Sequence, residues 1–108
     1  MGTRENKVEK YLDTRITELG GSTRKWVSPG RDGVPDRIVR VPWMEHGVAH
    51  FVEVKTIDGK VSVPQQREHI RLIEDGYIVV IVFGEQGVDE YIELLLSTSP
   101  IPEGAVFH

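Results

Sequence analysis

Val8, Leu12, Ile16 and Leu19 recur at intervals of four, four and three, with Tyr11 beside them. That spacing predicts an amphipathic helix over residues 4–19, ended by Gly20-Gly21. Thr3 is its candidate N-cap, with Asn6 at the capping-box position. Trp26-Val27-Ser28 is a short strand candidate, and the run from Pro29 to Pro35 reads as an exposed loop. Asp36 to Val41 alternates polar and apolar until Pro42 ends it, and Ala49 to Thr56 is the next strand, closed by Asp58-Gly59. Pro64 opens a helix reaching Asp75, with Ile70 and Ile73 expected inward and Gly76 as its stop. Tyr77 to Phe83 is continuously apolar and β-branched, as in a strand buried on both faces. Val88 to Leu96 is a last helix burying Tyr91, Ile92, Leu95 and Leu96, and Ser97 to His108 reads as irregular. The order α, β, β, β, α, β, α, with a helix crossing between the last two strands, predicts an α/β (α+β) fold: a mixed sheet flanked by helices.

The 108 residues are expected to form a single domain. The chain has no cysteine, which removes disulfide and thiolate chemistry and fits a reducing compartment. No apolar run approaches the ~20 residues that span a bilayer, and no apolar signal region follows the N-terminus. A soluble, cytoplasmic protein with no membrane partner is the expectation. The net charge of −4 argues against nucleic acid, but its distribution along the chain points the other way. Residues 1–60 hold 11 Lys or Arg against 9 Asp or Glu, whereas residues 61–108 hold 2 against 8. Arg4, Lys7, Arg24, Lys25, Arg31, Arg37 and Arg40 could follow a phosphate backbone, or could be an ordinary solvated surface.

Two motifs carry the candidate chemistry: Gly33-Val34-Pro35-Asp36 and Glu53-Val54-Lys55. Alternation along a strand puts Glu53 and Lys55 on one face, with Cα atoms roughly 6 to 7 Å apart. Two charges on an otherwise apolar strand are costly unless a metal or substrate uses them. With Asp36 from a neighbouring antiparallel strand they make the acid–acid–lysine set of metal-dependent phosphodiester hydrolysis, in which Mg²⁺ or Mn²⁺ is held by carboxylates. Lys55 would act as base or electrostatic anchor. Glu5 is a candidate third carboxylate with Glu9 as rival, and Gln65 a candidate site residue with Gln66 as rival. Trp43 and Met44, at an expected hairpin tip, could meet DNA or a second subunit, or could cover their own core. The four histidines have no metal-ligand spacing, and His50 and His69 read as surface or hydrogen-bonded residues.

These residues resemble the VRR-NUC nucleases, a branch of the restriction-endonuclease-like PD-(D/E)xK superfamily. The likeness runs from Glu5 and Tyr11-Leu12 through Gly20-Gly21, Lys25, Val27-Ser28-Pro29-Gly30-Arg31, Gly33-Val34-Pro35-Asp36-Arg37 and Phe51-Val52-Glu53-Val54-Lys55. It continues through Gly59-Lys60-Val61-Ser62, Gln65, His69 and Gly76 to Val82. The resemblance implies a restriction-endonuclease-like core and a divalent-metal DNA nuclease of phage or bacterial type. Its active site would hold Glu5, Asp36, Glu53, Lys55 and Gln65, with the Val54 carbonyl as a further metal ligand. The resemblance also implies a homodimer akin to Holliday-junction resolvases. Among the basic residues of the first half, Lys25, Arg31 and Arg37 are the ones expected to meet DNA. The competing reading is a binding module with the same fold and no catalysis, which leaves the buried triad without a use.

Overall fold

A computed structural model describes residues 4–97 and 100–108, so the expected Thr3 cap lies outside the described residues. The elements are α1 (Arg4–Glu18), β1 (Ser22–Lys25), β2 (Arg37–Arg40), β3 (His50–Lys55), α2 (Val63–Glu74), β4 (Ile78–Phe83), α3 (Gly84–Leu96) and β5 (Ala105–Phe107). One five-stranded sheet runs in the order β1-β2-β3-β4-β5. Its first three strands are antiparallel neighbours, while β3–β4 and β4–β5 are parallel. The expected mixed sheet flanked by helices is therefore present.

Val8, Leu12 and Ile16 of α1 join Val88, Tyr91, Ile92 and Leu95 of α3 over one face of the sheet, against Val39, Val52, Val54, Val80 and Val82. Alternation then sends Phe51, Glu53 and Lys55 to the other face, which α2 covers. No helix among the described residues is long and apolar enough to cross a membrane.

Four expectations are corrected. The first strand is Ser22–Lys25, not Trp26–Ser28. It is an edge strand of wholly polar sequence, held by pairing with β2 (Ser22 with Arg40, Lys25 with Arg37), so it carries no apolar signal. Trp26 instead packs its ring against Phe51. The tail is not irregular throughout: β5 pairs Val80 with Ala105 and Val82 with Phe107. Gly87 permits this, since a Cβ there would lie 2.5 Å from the Phe107 carbonyl oxygen. Ile70 is exposed, and the buried residues of α2 are Glu68, His69 and Leu72. Leu96 is exposed as well, beyond the last turn that packs.

Candidate active site

The site grows from the antiparallel register of β2 on β3. Arg37 pairs with Val52, so one step further along the ladder sets Asp36 opposite Glu53. The turn before Asp36 fixes its entry. Gly33 has φ +86°, and a Cβ there would stand 2.4 Å from the Pro64 carbonyl oxygen and 2.9 Å from the Gln65 nitrogen. Only glycine combines that conformation with that approach. The loop is thereby seated on the first turn of α2. Asp36 Oδ2 accepts a hydrogen bond from the Val54 backbone N–H at 2.7 Å, which ties the carboxylate to β3 between Glu53 and Lys55.

Glu53 has no exposed surface. Gln65 Nε2 donates to its Oε2 at 3.1 Å, His69 Nε2 lies 3.1 Å from its Oε1, and Lys55 Nζ stands 3.9 Å from Oε2. The orientation of Gln65 follows from the start of α2. Ser62 caps the helix, the Gln65 N–H donates to its Oγ, and the Ser62 N–H donates to Gln65 Oε1 at 2.9 Å. That reciprocal box consumes the amide oxygen and leaves the amide nitrogen to face Glu53. Gln66 turns instead to the Val61 carbonyl.

From the first turn of α1, Glu5 completes a group in which one oxygen each of Glu5, Asp36 and Glu53 lie within 4.8 Å of one another. Glu9 is otherwise engaged, 2.9 Å from Arg37 Nη1. Burial, then a hydrogen bond and repulsion from Asp36, hold the Glu53 carboxyl well above the usual range, against the pull of Lys55. Glu5 is raised by burial and by Asp36. His69 is lowered, first by burial and then by Lys55, which favours the neutral ring. Three crowded carboxylates with one lysine leave surplus negative charge, and their hard oxygen donors suit a small divalent cation.

The cations expected near DNA divide. Lys25 is exposed at the end of β1, and Arg31 sits on the loop before Asp36. Arg37 turns inward to Glu9 and Asp13, with 14% of its side chain exposed, and braces β2 against α1. Arg40 is likewise spent on the carbonyls of Glu45, Val48 and Met44. Trp43 is half exposed and donates from Nε1 to the Leu95 carbonyl at 3.1 Å, while Met44 packs on the core. His50 is buried with Nδ1 2.7 Å from the Tyr91 hydroxyl, and burial pushes it down to about 4. Sequence reasoning missed His69 as a partner of Glu53. The available signal was its place four residues after Gln65, on the same face of α2.

A mixed sheet with carboxylates and a lysine gathered at the end of its central strand defines the restriction-endonuclease-like class. Within that class, a solved structure described as "VRR_NUC domain" matches 85% of this chain and 97% of its own, at TM-score 0.74 and 38% identity. The protein called "Putative nuclease p44" from Acyrthosiphon pisum secondary endosymbiont phage 1 is 43% identical over 79 residues, 73% of this chain and 82% of that one. No protein-family model matches the chain. The chain belongs to the VRR-NUC family.

Proposed function

We propose that this protein is a Mg²⁺- or Mn²⁺-dependent DNA endonuclease. The observation that carries the reading is the convergence of Glu5, Asp36 and Glu53 on one point, with Lys55 beside them. Those three carboxylates and the Val54 carbonyl would hold the ion. When bound, it would neutralise charge on the phosphate oxygens and acidify water. The chain supplies the rest. Lys55 offsets the charge that develops on the phosphate and orients or deprotonates the attacking water. Gln65 and His69 hold the two oxygens of Glu53 in place. Lys25 and Arg31 meet the DNA backbone, with Arg37 supporting the site as a brace. The phage origin of the relative supports action in the cytoplasm of a bacterial or phage-infected cell.

The preferred substrate in this reading is branched DNA, such as a four-way junction, cut by a homodimer. One chain offers one carboxylate cluster among its described residues, whereas symmetric incision of a junction needs two related by a two-fold axis. Of the apolar residues that an interface could draw on at the Trp43-Met44 loop and in the C-terminal tail, Met44, Ile101 and Phe107 pack on the core. Trp43 and Val106 remain, 45% and 44% exposed. Cleavage of duplex, single-stranded, flap and four-way DNA, with and without Mg²⁺ or Mn²⁺, tests both parts. Metal-dependent cleavage that favours the four-way substrate is expected, together with a species twice 12.2 kDa in sedimentation equilibrium. No cleavage with either metal would refute the nuclease, and equal cleavage by a monomer would refute the junction dimer.

His69→Ala is expected to weaken Mn²⁺ binding about 10- to 100-fold, the usual loss when a metal ligand is no longer oriented. His69→Gln should recover part of it by donating to Glu53 again. Titration calorimetry on the metal alone reads this without cleavage, and unchanged affinity in both variants would dismiss the role of His69.

A further inference from the structure

Glu68 is a carboxylate with 2% of its side chain exposed, and it sits on α2 outside the cluster of Glu5, Asp36 and Glu53. A buried carboxylate requires compensation. Here it has two cations. Arg31 Nη1 lies 3.3 Å from Oε2, and Arg71 Nη1 lies 3.3 Å from Oε1. One arginine would neutralise Glu68; the second leaves the trio with a surplus positive charge. Both arginine side chains remain open to solvent, 58% and 60% exposed. Each meets Glu68 through a single nitrogen, so neither guanidinium is used up as it would be in a two-pronged pair. The result is two planar donor groups anchored at one end and open at the other.

The surroundings give this fork a direction. Arg31 belongs to the loop that leads into Asp36, and Gly33 of that loop rests on Pro64 and Gln65. Glu68 follows Gln65 by one helical turn and precedes His69, which touches Glu53. The fork therefore flanks the carboxylate cluster. Arg71 also has a basic neighbour on its helix, for the 2 basic residues against 8 acids in residues 61–108 are Arg67 and Arg71. Set four apart, they lie along one face of α2.

We infer that Arg31 and Arg71, held by Glu68, form a phosphodiester-binding fork that grips the nucleic-acid backbone beside the cleaved position. The inference rests on the nuclease reading and extends it to Arg71, with Glu68 as the positioning residue. Because both guanidiniums are already anchored, little side-chain freedom remains to be lost when a phosphate arrives.

The test is fluorescence anisotropy of a labelled DNA duplex in EDTA, where no cleavage occurs, repeated across a salt series. Arg71→Gln is expected to reduce the slope of log affinity against log salt by about 0.9, the release belonging to one phosphate contact, and to weaken binding about 8-fold at ~0.1 M salt. Lys10→Gln, an exposed α1 position outside the proposed interface, controls for net charge and should change less. Arg71→Lys keeps a cation beside Glu68 and guards against a folding defect; it should preserve the slope but bind several-fold more weakly, having lost the planar fork. If Arg71→Gln matches Lys10→Gln in both slope and affinity, or if neither Arg71 variant differs from the wild type, the fork is refuted. If the wild type itself shows no salt-dependent binding, the DNA reading falls and takes the fork with it.

Discussion

Lys55→Ala is expected to lower the single-turnover cleavage rate at saturating metal by about 10²- to 10³-fold, the scale of losing one preorganised electrostatic group. Its Nζ stands 3.9 Å from Glu53 Oε2, on a strand end where the side chain is 11% exposed. A charge so poorly solvated acts strongly on a developing phosphate charge, because little water competes with it. DNA affinity in EDTA should change far less, since Lys55 is one cation among several. Lys55→Arg separates its two possible duties. Arginine keeps the positive charge but gives up no proton in the working range. Substantial recovery in Lys55→Arg would make Lys55 an anchor, and none would make it a proton carrier. A near wild-type rate in Lys55→Ala would remove it from the mechanism altogether.

The parts of this architecture that are legible in the sequence are those whose physics is local. Val8, Leu12 and Ile16 announce α1 because a buried helix face repeats every three or four residues. β4 announces itself by being apolar throughout. β1 and β5 do not: each is an edge strand, one polar and one three residues long, and each exists only because a partner strand binds it. The face of α2 misleads for a related reason. Its inner surface is partly polar, built from Glu68 and His69, so the exposed Ile70 looks like the better core residue.

The same division runs through the site. Glu53 and Lys55 on one face, with Asp36 opposite, follow from strand alternation and a short antiparallel connection. Which acid of α1 joins them does not, because Glu5 and Glu9 are one turn apart and face the same way. The structure separates them through a partner distant in sequence: Arg37 takes Glu9 and Asp13. The choice of Gln65 over Gln66 is likewise made by Ser62 and by Gly33 closing on the helix start.

Glu53→Gln should abolish cleavage and, in the absence of metal, make the protein more resistant to heat above neutral pH. The sign follows from proton linkage. Glu53 ionises with its ordinary value of 4.5 in the unfolded chain, but burial and Asp36 raise it to about 9 in the fold. Between those values the folded state binds more protons than the unfolded one. Its stability is therefore fully present below about pH 4.5 and declines as pH rises toward 9. Glu5 and Glu9, also raised, add to the same slope. Glutamine keeps the shape of the side chain, accepts one hydrogen bond and carries no charge, so it removes the largest part of this penalty. Melting curves in EDTA from pH 5 to 9 should fall for the wild type and run flatter for Glu53→Gln, crossing so that the variant melts higher at the alkaline end. Divalent metal reverses the order. Binding to the folded state raises the wild-type melting temperature, increasingly so at high pH where the ion displaces the Glu53 proton, while Glu53→Gln loses most of the response. Parallel pH profiles for the two proteins in EDTA would mean that Glu53 is not the group under strain. An undiminished metal response in the variant would mean that the ion binds elsewhere.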